Sequence, residues 1–267
     1  MTGSQAAPAG PSFRLDGRVA VVTGGAGLYG THLCRTLALA GASVVLTSRS
    51  LAKATEAAAE LVDSGAGSVR PAALDQADPD SVSAFVEQVE REPGRIDVLV
   101  NNAVHRQGHG LDGITAEDWA ATQDVNGRGL FLLTQRVART MRDQGGGSIV
   151  NIGSIYGISG PDLRLYSGTA MSMPAYYAYD KAGMIGLTRY LACVLGPDGI
   201  RVNCLAPGGL DDGTAPESFR AAYAERTPLR RLASGDDVAG ALLLLASDAG
   251  AYVTGVTLPV DGGFTAQ

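Results

Sequence analysis

The sequence predicts an α/β fold: a single domain built on one doubly wound parallel sheet of seven strands, with helices on both faces. Three observations carry this expectation. Short β-branched runs alternate with longer amphipathic segments from residue 15 onward. Those runs are almost continuously apolar, as strands covered on both faces must be. No linker or repeat divides the chain, so the domain is expected to occupy residues 14–267. Right-handed crossovers then place a ligand site at the carboxyl ends of the strands.

The elements follow in order. Residues 19–23 (Val-Ala-Val-Val-Thr) read as the first strand, and a glycine-rich turn leads from it into a helix near 28–40. A strand at 43–47 with a helix at 50–63 repeats the unit, as does a strand at 69–73 with a helix at 79–91. The fourth strand, 96–101, precedes a long helical pattern over 115–143. Strands at 148–153, 201–206 and 257–260 complete the sheet, with helices near 177–195 and 236–247 between them.

Composition narrows the function. With 45% hydrophobic and 18% charged residues, a packed core is expected rather than disorder. No apolar run approaches the roughly 20 residues needed to cross a bilayer. Residues 1–13 read as a loose tail, small and polar without the apolar stretch of a signal peptide. Cys34, Cys193 and Cys204 are far apart and lack metal-ligand spacing, so neither structural zinc nor a disulfide framework is expected, and a reducing cytoplasm fits. A net charge of −6 without a basic run argues against nucleic-acid or membrane partners.

The turn Thr23-Gly24-Gly25-Ala26-Gly27-Leu28-Tyr29-Gly30 joins a strand directly to a helix. Glycines there let the backbone approach a pyrophosphate at the helix N-terminus. At the end of the second strand, where an acid would bind a ribose 2′-hydroxyl, stand Ser48 and Arg49. A hydroxyl followed by a guanidinium suits a 2′-phosphate, so NADP(H) is expected rather than NAD(H). Asp75, after the third strand, is placed to accept a hydrogen bond from the adenine amino group, whereas Lys53 reads as a solvated surface residue.

With residues 23–30, Asn101-Asn102-Ala103, Asn126, Ser154 and Tyr177-Ala-Tyr-Asp-Lys181 in this order, the chain resembles the short-chain dehydrogenase/reductase family in its shorter branch. The resemblance spans residues 14–264 and implies a Rossmann fold that moves a hydride between nicotinamide and a carbonyl or secondary alcohol. It places the cofactor along Thr23, Gly24, Gly27, Leu28, Tyr29 and Gly30. Further contacts come from Asn102 and Ala103, from Pro207, Gly208 and Gly209, and from Tyr177 and Lys181. It also implies that Ser154 hydrogen-bonds the substrate oxygen and that Asn126 anchors a water leading to Lys181.

The residue types make chemical sense. A tyrosine of pKa ~10 is a poor base at neutral pH, so a cation beside it must favour the phenolate. Tyr177 and Lys181 share one helix face four residues apart. Of 21 basic residues only Lys53 and Lys181 are lysine, so lysine at 181 points to a specific need for a compact ammonium. Tyr176 and Tyr179 have no cation at the same offset.

Several positions depart from the family pattern. Leu28 and Val104 stand where glycines are usual, and Asp212 where a threonine normally contacts the nicotinamide amide, a role Thr214 is placed to take over. Ser154 and Tyr177 lie 23 residues apart against the family's usual dozen or so. The extra segment, 161–174, is expected to loop over the active site, and it is similar to one in reductases of sugar and nonulosonate biosynthesis. It offers Arg164, Tyr166, Ser167 and Thr169, while the loop after Val104 offers His105, Arg106 and His109. Such polar, partly cationic walls predict a hydroxylated or anionic substrate, for example a sugar-, cyclitol- or nucleoside-like ketone.

Two other functions fit parts of the sequence. The Gly24–Gly27–Gly30 spacing also resembles epimerases and dehydratases that recycle their nucleotide, and a third reading is a dinucleotide-sensing binding protein without turnover. The complete Asn126, Ser154, Tyr177, Lys181 set argues for turnover. Residues 235–245 are too apolar for a solvated helix, and related enzymes pair through that helix and the last strand. A homotetramer or homodimer is therefore expected.

Overall fold

Each apolar run of the sequence becomes a strand in the computed structural model, which describes residues 12–107 and 110–267. Residues 1–11 of the expected tail and His109 lie outside the described residues. The strands are β1 (Val19–Val22), β2 (Ser43–Ser48), β3 (Val69–Ala73), β4 (Val98–Asn101), β5 (Gly147–Ile152), β6 (Ile200–Pro207) and β7 (Thr257–Val260). All pair in parallel, in the order β3-β2-β1-β4-β5-β6-β7, so the winding direction reverses between β1 and β4.

The helices are α1 (Leu28–Leu39), α2 (Leu51–Asp63), α3 (Pro79–Arg91), α4 (Ala116–Gln123), α5 (Leu130–Asp143), α6 (Ala175–Leu195), α7 (Glu217–Arg226) and α8 (Ala239–Ala246). The two-residue period of a strand splits the core into two layers. In β1, Ala20 and Val22 face Leu33, Leu37, Leu61 and Leu242 of α1, α2 and α8. Val19 and Val21 face Phe85, Leu133, Met141 and Leu191 of α3, α5 and α6. A third cluster, around Leu165, Phe219, Tyr223 and Phe264, lies apart from both.

Three elements differ from expectation. The long helix over 115–143 is interrupted by a π-helical turn at Asp124–Gly129. At Gly129 a Cβ would fall 1.9 Å from the Gln76 carbonyl oxygen, so the chain passes the loop after β3 too closely for any side chain. Helix α7 has no counterpart in the sequence reading, because Phe219 and Tyr223 are its only buried residues and show too little periodicity. The apolar stretch near 236–247 starts as a 3₁₀ turn, Gly235–Val238, before α8. Leu242 and Leu245 are buried within the chain, while Leu243, Leu244 and most of edge strand β7 stay half-buried. Among the described residues, no helix is long and apolar enough to cross a membrane.

Asp97 pins the start of β4 to that of β1. Only 5% exposed, it accepts hydrogen bonds from Val19 N (2.8 Å), Arg95 Nε (2.8 Å) and Arg18 (3.3 Å). Burial opposes the charge, but Arg95, the Val19 N–H and Arg18 outweigh it and hold the carboxyl below the usual carboxylate range. A lowered folded-state value contributes stability that is present above the ordinary carboxylate range and lost as pH falls through the folded value. We expect Asp97→Asn to lower the unfolding free energy at pH 7 by about 2 kcal/mol, the size of a charge-assisted hydrogen bond. The substitution should also flatten the acid-side loss of stability, which urea denaturation at pH 7 and pH 3 will measure.

Candidate active site

At the carboxyl ends of β1 and β4, side chains replace the sheet ladder. The Thr23 hydroxyl accepts from the backbone N–H groups of Asn102 and Ala103, both at 2.9 Å. The Asn102 amide donates back to the carbonyls of Thr23 (2.9 Å) and Gly24 (3.0 Å). The turn above is correspondingly tight. Gly24 has φ +60°, and a Cβ at Gly30 would lie 2.3 Å from the Gly24 carbonyl oxygen. Helix α1 then opens at Leu28 with Gly27 as a cap that offers no side chain and with no acid in its first turn. Its positive end, with unsatisfied N–H groups, faces a cleft of about 730 Å³.

The cleft runs along this edge of the sheet. At one end Ser48, Arg49 and Lys53 line it. Arg49 is exposed and has no hydrogen-bond or ion-pair partner among the described residues, while the Ser48 hydroxyl accepts from Ser50 N at 3.3 Å. Asp75 stabilises its own loop, accepting from Ala77 N at 3.0 Å, and also lines the cleft. In the middle, the loop Pro207-Gly208-Gly209 is held from both sides. The Tyr29 hydroxyl donates to the Gly208 carbonyl (3.1 Å), and Gly209 N donates to the Tyr223 hydroxyl (2.6 Å). A side chain at either glycine would strike Tyr223 at about 3 Å. Burial pushes the Tyr29 hydroxyl well above its ordinary value and that of Tyr223 up to about 12, so both stay neutral crosspieces.

At the other end, the first turns of α6 present Tyr177 and Lys181 to the cleft. The Lys181 ammonium is buried, donates to the Ile152 carbonyl at 2.6 Å and lies 5.6 Å from the Tyr177 ring centroid. Ser154 sits just beyond β5. Its hydroxyl oxygen accepts from Tyr156 N (3.1 Å) as the cap of a 3₁₀ turn, which leaves the hydroxyl hydrogen for a ligand in the cleft. The rival tyrosines are elsewhere. Tyr176 is fully buried and bonded to Gln107 N, and Tyr179 packs on Trp119 outside the cleft.

Asn126 does not reach the cleft. Its amide oxygen accepts from His105 N (2.8 Å), and its nitrogen donates to His105 O (3.0 Å) and the Asp180 carboxylate (2.8 Å). It therefore staples the loop after β4 to α6, the helix that carries Tyr177 and Lys181. Its side chain has no direct bond to Lys181.

The segment 161–174 forms a wall of the cleft. Asp162 caps a 3₁₀ turn, Leu163–Tyr166, whose Leu165 is buried against α7. Tyr166, Met171 and Met173 line the cleft together with Phe219 and Tyr223, and the hydroxyls of Tyr156 and Tyr166 bond to each other at 2.9 Å. Arg164, expected as a substrate residue, is not in the cleft. It is held at 2.6 Å by Asp162 and points to solvent. His105, Arg106 and Tyr166 do line it.

A family model described as enoyl-(acyl carrier protein) reductase matches residues 27–265. The 3-oxoacyl-acyl-carrier-protein reductase FabG of Thermotoga maritima is 37% identical over 94% of this chain and 99% of its own. The chain belongs to the short-chain dehydrogenase/reductase family. D-threitol dehydrogenase of Mycolicibacterium smegmatis is 34% identical over 99% of both chains. A gluconate 5-dehydrogenase from Burkholderia cenocepacia, solved in complex with NADP and tartrate, superposes with a TM-score of 0.85 at 36% identity, covering 96% of this chain and 98% of that one. The protein is thus an oxidoreductase of a family that binds a nicotinamide cofactor. The close Gly24–Gly30 turn and the uncapped α1 N-terminus fit that group.

The structure accounts for this oxidoreductase's departures from the family pattern. Leu28 is the first residue of α1, 65% exposed, and neither it nor Val104 has a positive φ, so neither position requires glycine. The Thr214 hydroxyl reaches the cleft but donates to Asp212 at 2.7 Å. Of the expected cofactor residues, Gly30 alone lies beneath the cleft rather than along it. Lys53, read as a solvated surface residue, is exposed and lines the rim of the cleft. Sequence reasoning did not place Tyr156, Phe219 and Tyr223 in the cleft; they had only the weak Phe219–Tyr223 spacing as a signal.

Because Leu165 is buried in the third cluster and roots the wall there, Leu165→Ala should cost about 2 to 4 kcal/mol, as buried leucine truncations do. Urea unfolding measures this. A change within error would mean that the wall is not anchored there.

Proposed function

We propose that this protein is an NADP(H)-dependent reductase or dehydrogenase acting on a small polar ketone or secondary alcohol, with Tyr177 as the general acid and base. The observation that carries the reading is one continuous cleft with Arg49 and Lys53 at one end and Ser154, Tyr177 and Lys181 at the other. Bound there, the cofactor would supply or accept the hydride. In reduction, the free hydrogen of Ser154 orients the substrate oxygen. Tyr177 gives its proton to that oxygen as negative charge develops on it, and in oxidation it takes the proton back. The Lys181 ammonium, anchored by Ile152 O, stabilises the negative charge left on the phenol oxygen and keeps further N–H groups for the ribose. Asn126 positions α6 from outside the cleft.

NADP(H) is favoured because two cations and no carboxylate stand at the tip of β2 and the start of α2. The polar substrate is supported by His105 and Arg106 in the wall and by the threitol and gluconate dehydrogenases among the relatives. The reading includes a closed homodimer or homotetramer, supported by the half-buried Leu243, Leu244 and β7.

Two experiments test it. Titration of both nucleotides should show at least about tenfold preference for NADPH, equivalent to about 1.4 kcal/mol, and Arg49→Ala should remove most of it. Equal affinities in the wild type would overturn the assignment. Tyr177→Phe should retain NADPH binding while kcat falls about 10²–10⁴-fold. Lys181→Arg should also lose most turnover, since a larger planar head cannot keep both the Ile152 contact and its place beside Tyr177. Full activity in either variant rules the mechanism out.

A further inference from the structure

A second cation flanks Tyr177. The Arg106 guanidinium lies 4.9 Å from the Tyr177 ring centroid, closer than the Lys181 ammonium. Their circumstances differ. Lys181 is buried and committed to a backbone carbonyl. Arg106 is exposed on the cleft wall, and among the described residues it has neither a hydrogen-bond acceptor nor a carboxylate within ion-pair distance.

Carboxylates on the surrounding elements are engaged by neutral donors instead. Asp180 is held by Gln123 and Asn126, Asp118 by Thr115 N and Gln107, and Asp212 by Thr214. Arg164, the cation that the sequence placed beside Arg106, is neutralised by Asp162. Arg106 is therefore the positive charge left available where the substrate must meet Tyr177.

A second group converges on the same space. The Tyr156 and Tyr166 hydroxyls bond to each other, and that one bond uses one of their two phenolic hydrogens. Burial pushes both phenols above their ordinary values, so both hydrogens are kept. One donor of the pair remains for a ligand, and Tyr166 is near enough to Arg106 to feel its charge. A cation and a spare O–H donor lining one cleft call for a group that only accepts hydrogen bonds. A planar guanidinium matches a carboxylate best.

We propose that Arg106 and Tyr166 together read a carboxylate on the substrate, so that this enzyme acts on hydroxy and keto acids in preference to neutral polyols and sugars. The inference rests on the oxidoreductase reading for placing the substrate at Tyr177. The site itself belongs to the chain and is testable without turnover.

Tartrate and threitol share a four-carbon diol and differ only in carboxylate against hydroxymethyl ends. Calorimetric titration of both into wild type, with and without saturating NADPH, should show tartrate bound at least about tenfold more tightly, as expected of a charge-assisted contact. Arg106→Gln should abolish that preference while leaving NADPH affinity and the threitol Kd unchanged. Arg106→Lys should restore part of it, and Tyr166→Phe should reduce it by a smaller factor. If Arg106 served only to stabilise charge on Tyr177, the tartrate-to-threitol ratio would not change in Arg106→Gln. That outcome overturns the proposal, as does equal or undetectable binding of the two probes in wild type. Failure to bind NADPH would instead count against the NADP(H) assignment, and the nucleotide-free titrations would still decide the role of Arg106.

Discussion

The Thr23 hydroxyl accepts two backbone N–H groups from the residues just past β4, and that small arrangement sets the geometry of the whole site. Strands β1 and β4 are neighbours in the sheet but lie far apart in sequence, and the winding reverses between them. Their ladder ends at the carboxyl edge, so something must hold the two chains at a fixed spacing there. Thr23 and Asn102 do this at the top of the sheet and Asp97 at the bottom. Gly24 can then approach Ala103 closely, α1 can point its N-terminus into the crevice, and the loop carrying His105 and Arg106 leaves β4 in a defined direction.

Most of the fold was legible because its determinants are local. Buried parallel strands favour apolar, β-branched residues, and the central strands announce themselves that way, whereas β3 (Val-Arg-Pro-Ala-Ala) is the weakest signal. The Tyr177–Lys181 pair was legible for a similar reason: four residues on a helix is one turn, and one of only two lysines in an arginine-rich chain stands out. Where the sequence misled, the deciding contact was long-range. The π turn at 124–129 comes from the approach of Gln76, 49 residues before Val125, whose carbonyl the Gln76 amide also meets. The staple that the Asn126 side chain makes between the loop after β4 and α6 was hidden for the same reason, because the positions of His105 and Asp180 are tertiary facts.

The cleft walls show the same division. Arg164 and Arg106 are indistinguishable by residue type, and each lies in a loop expected near the site. An acid two residues away captures Arg164, whereas the acids around Arg106 are already occupied by neutral partners. The aromatic lining from Tyr156, Tyr166, Phe219 and Tyr223 was hidden for a further reason. It is assembled from three segments, none of them periodic enough to read as a structural element.

Ser154 stands at the end of a short mechanical chain. Its oxygen is fixed by Tyr156 N, the Tyr156 ring is fixed through its hydroxyl by Tyr166, and Tyr166 belongs to the segment that distinguishes this chain from its shorter-looped family pattern. That loop and the Ser154 hydroxyl are thus one rigid piece. The exposed Met171 within it could be exchanged to change what the cleft admits without loosening that piece. Exchanging the whole loop would also disturb the group that aligns the reacting oxygen, so new specificities in this lineage are easier to reach by point substitution than by loop grafting.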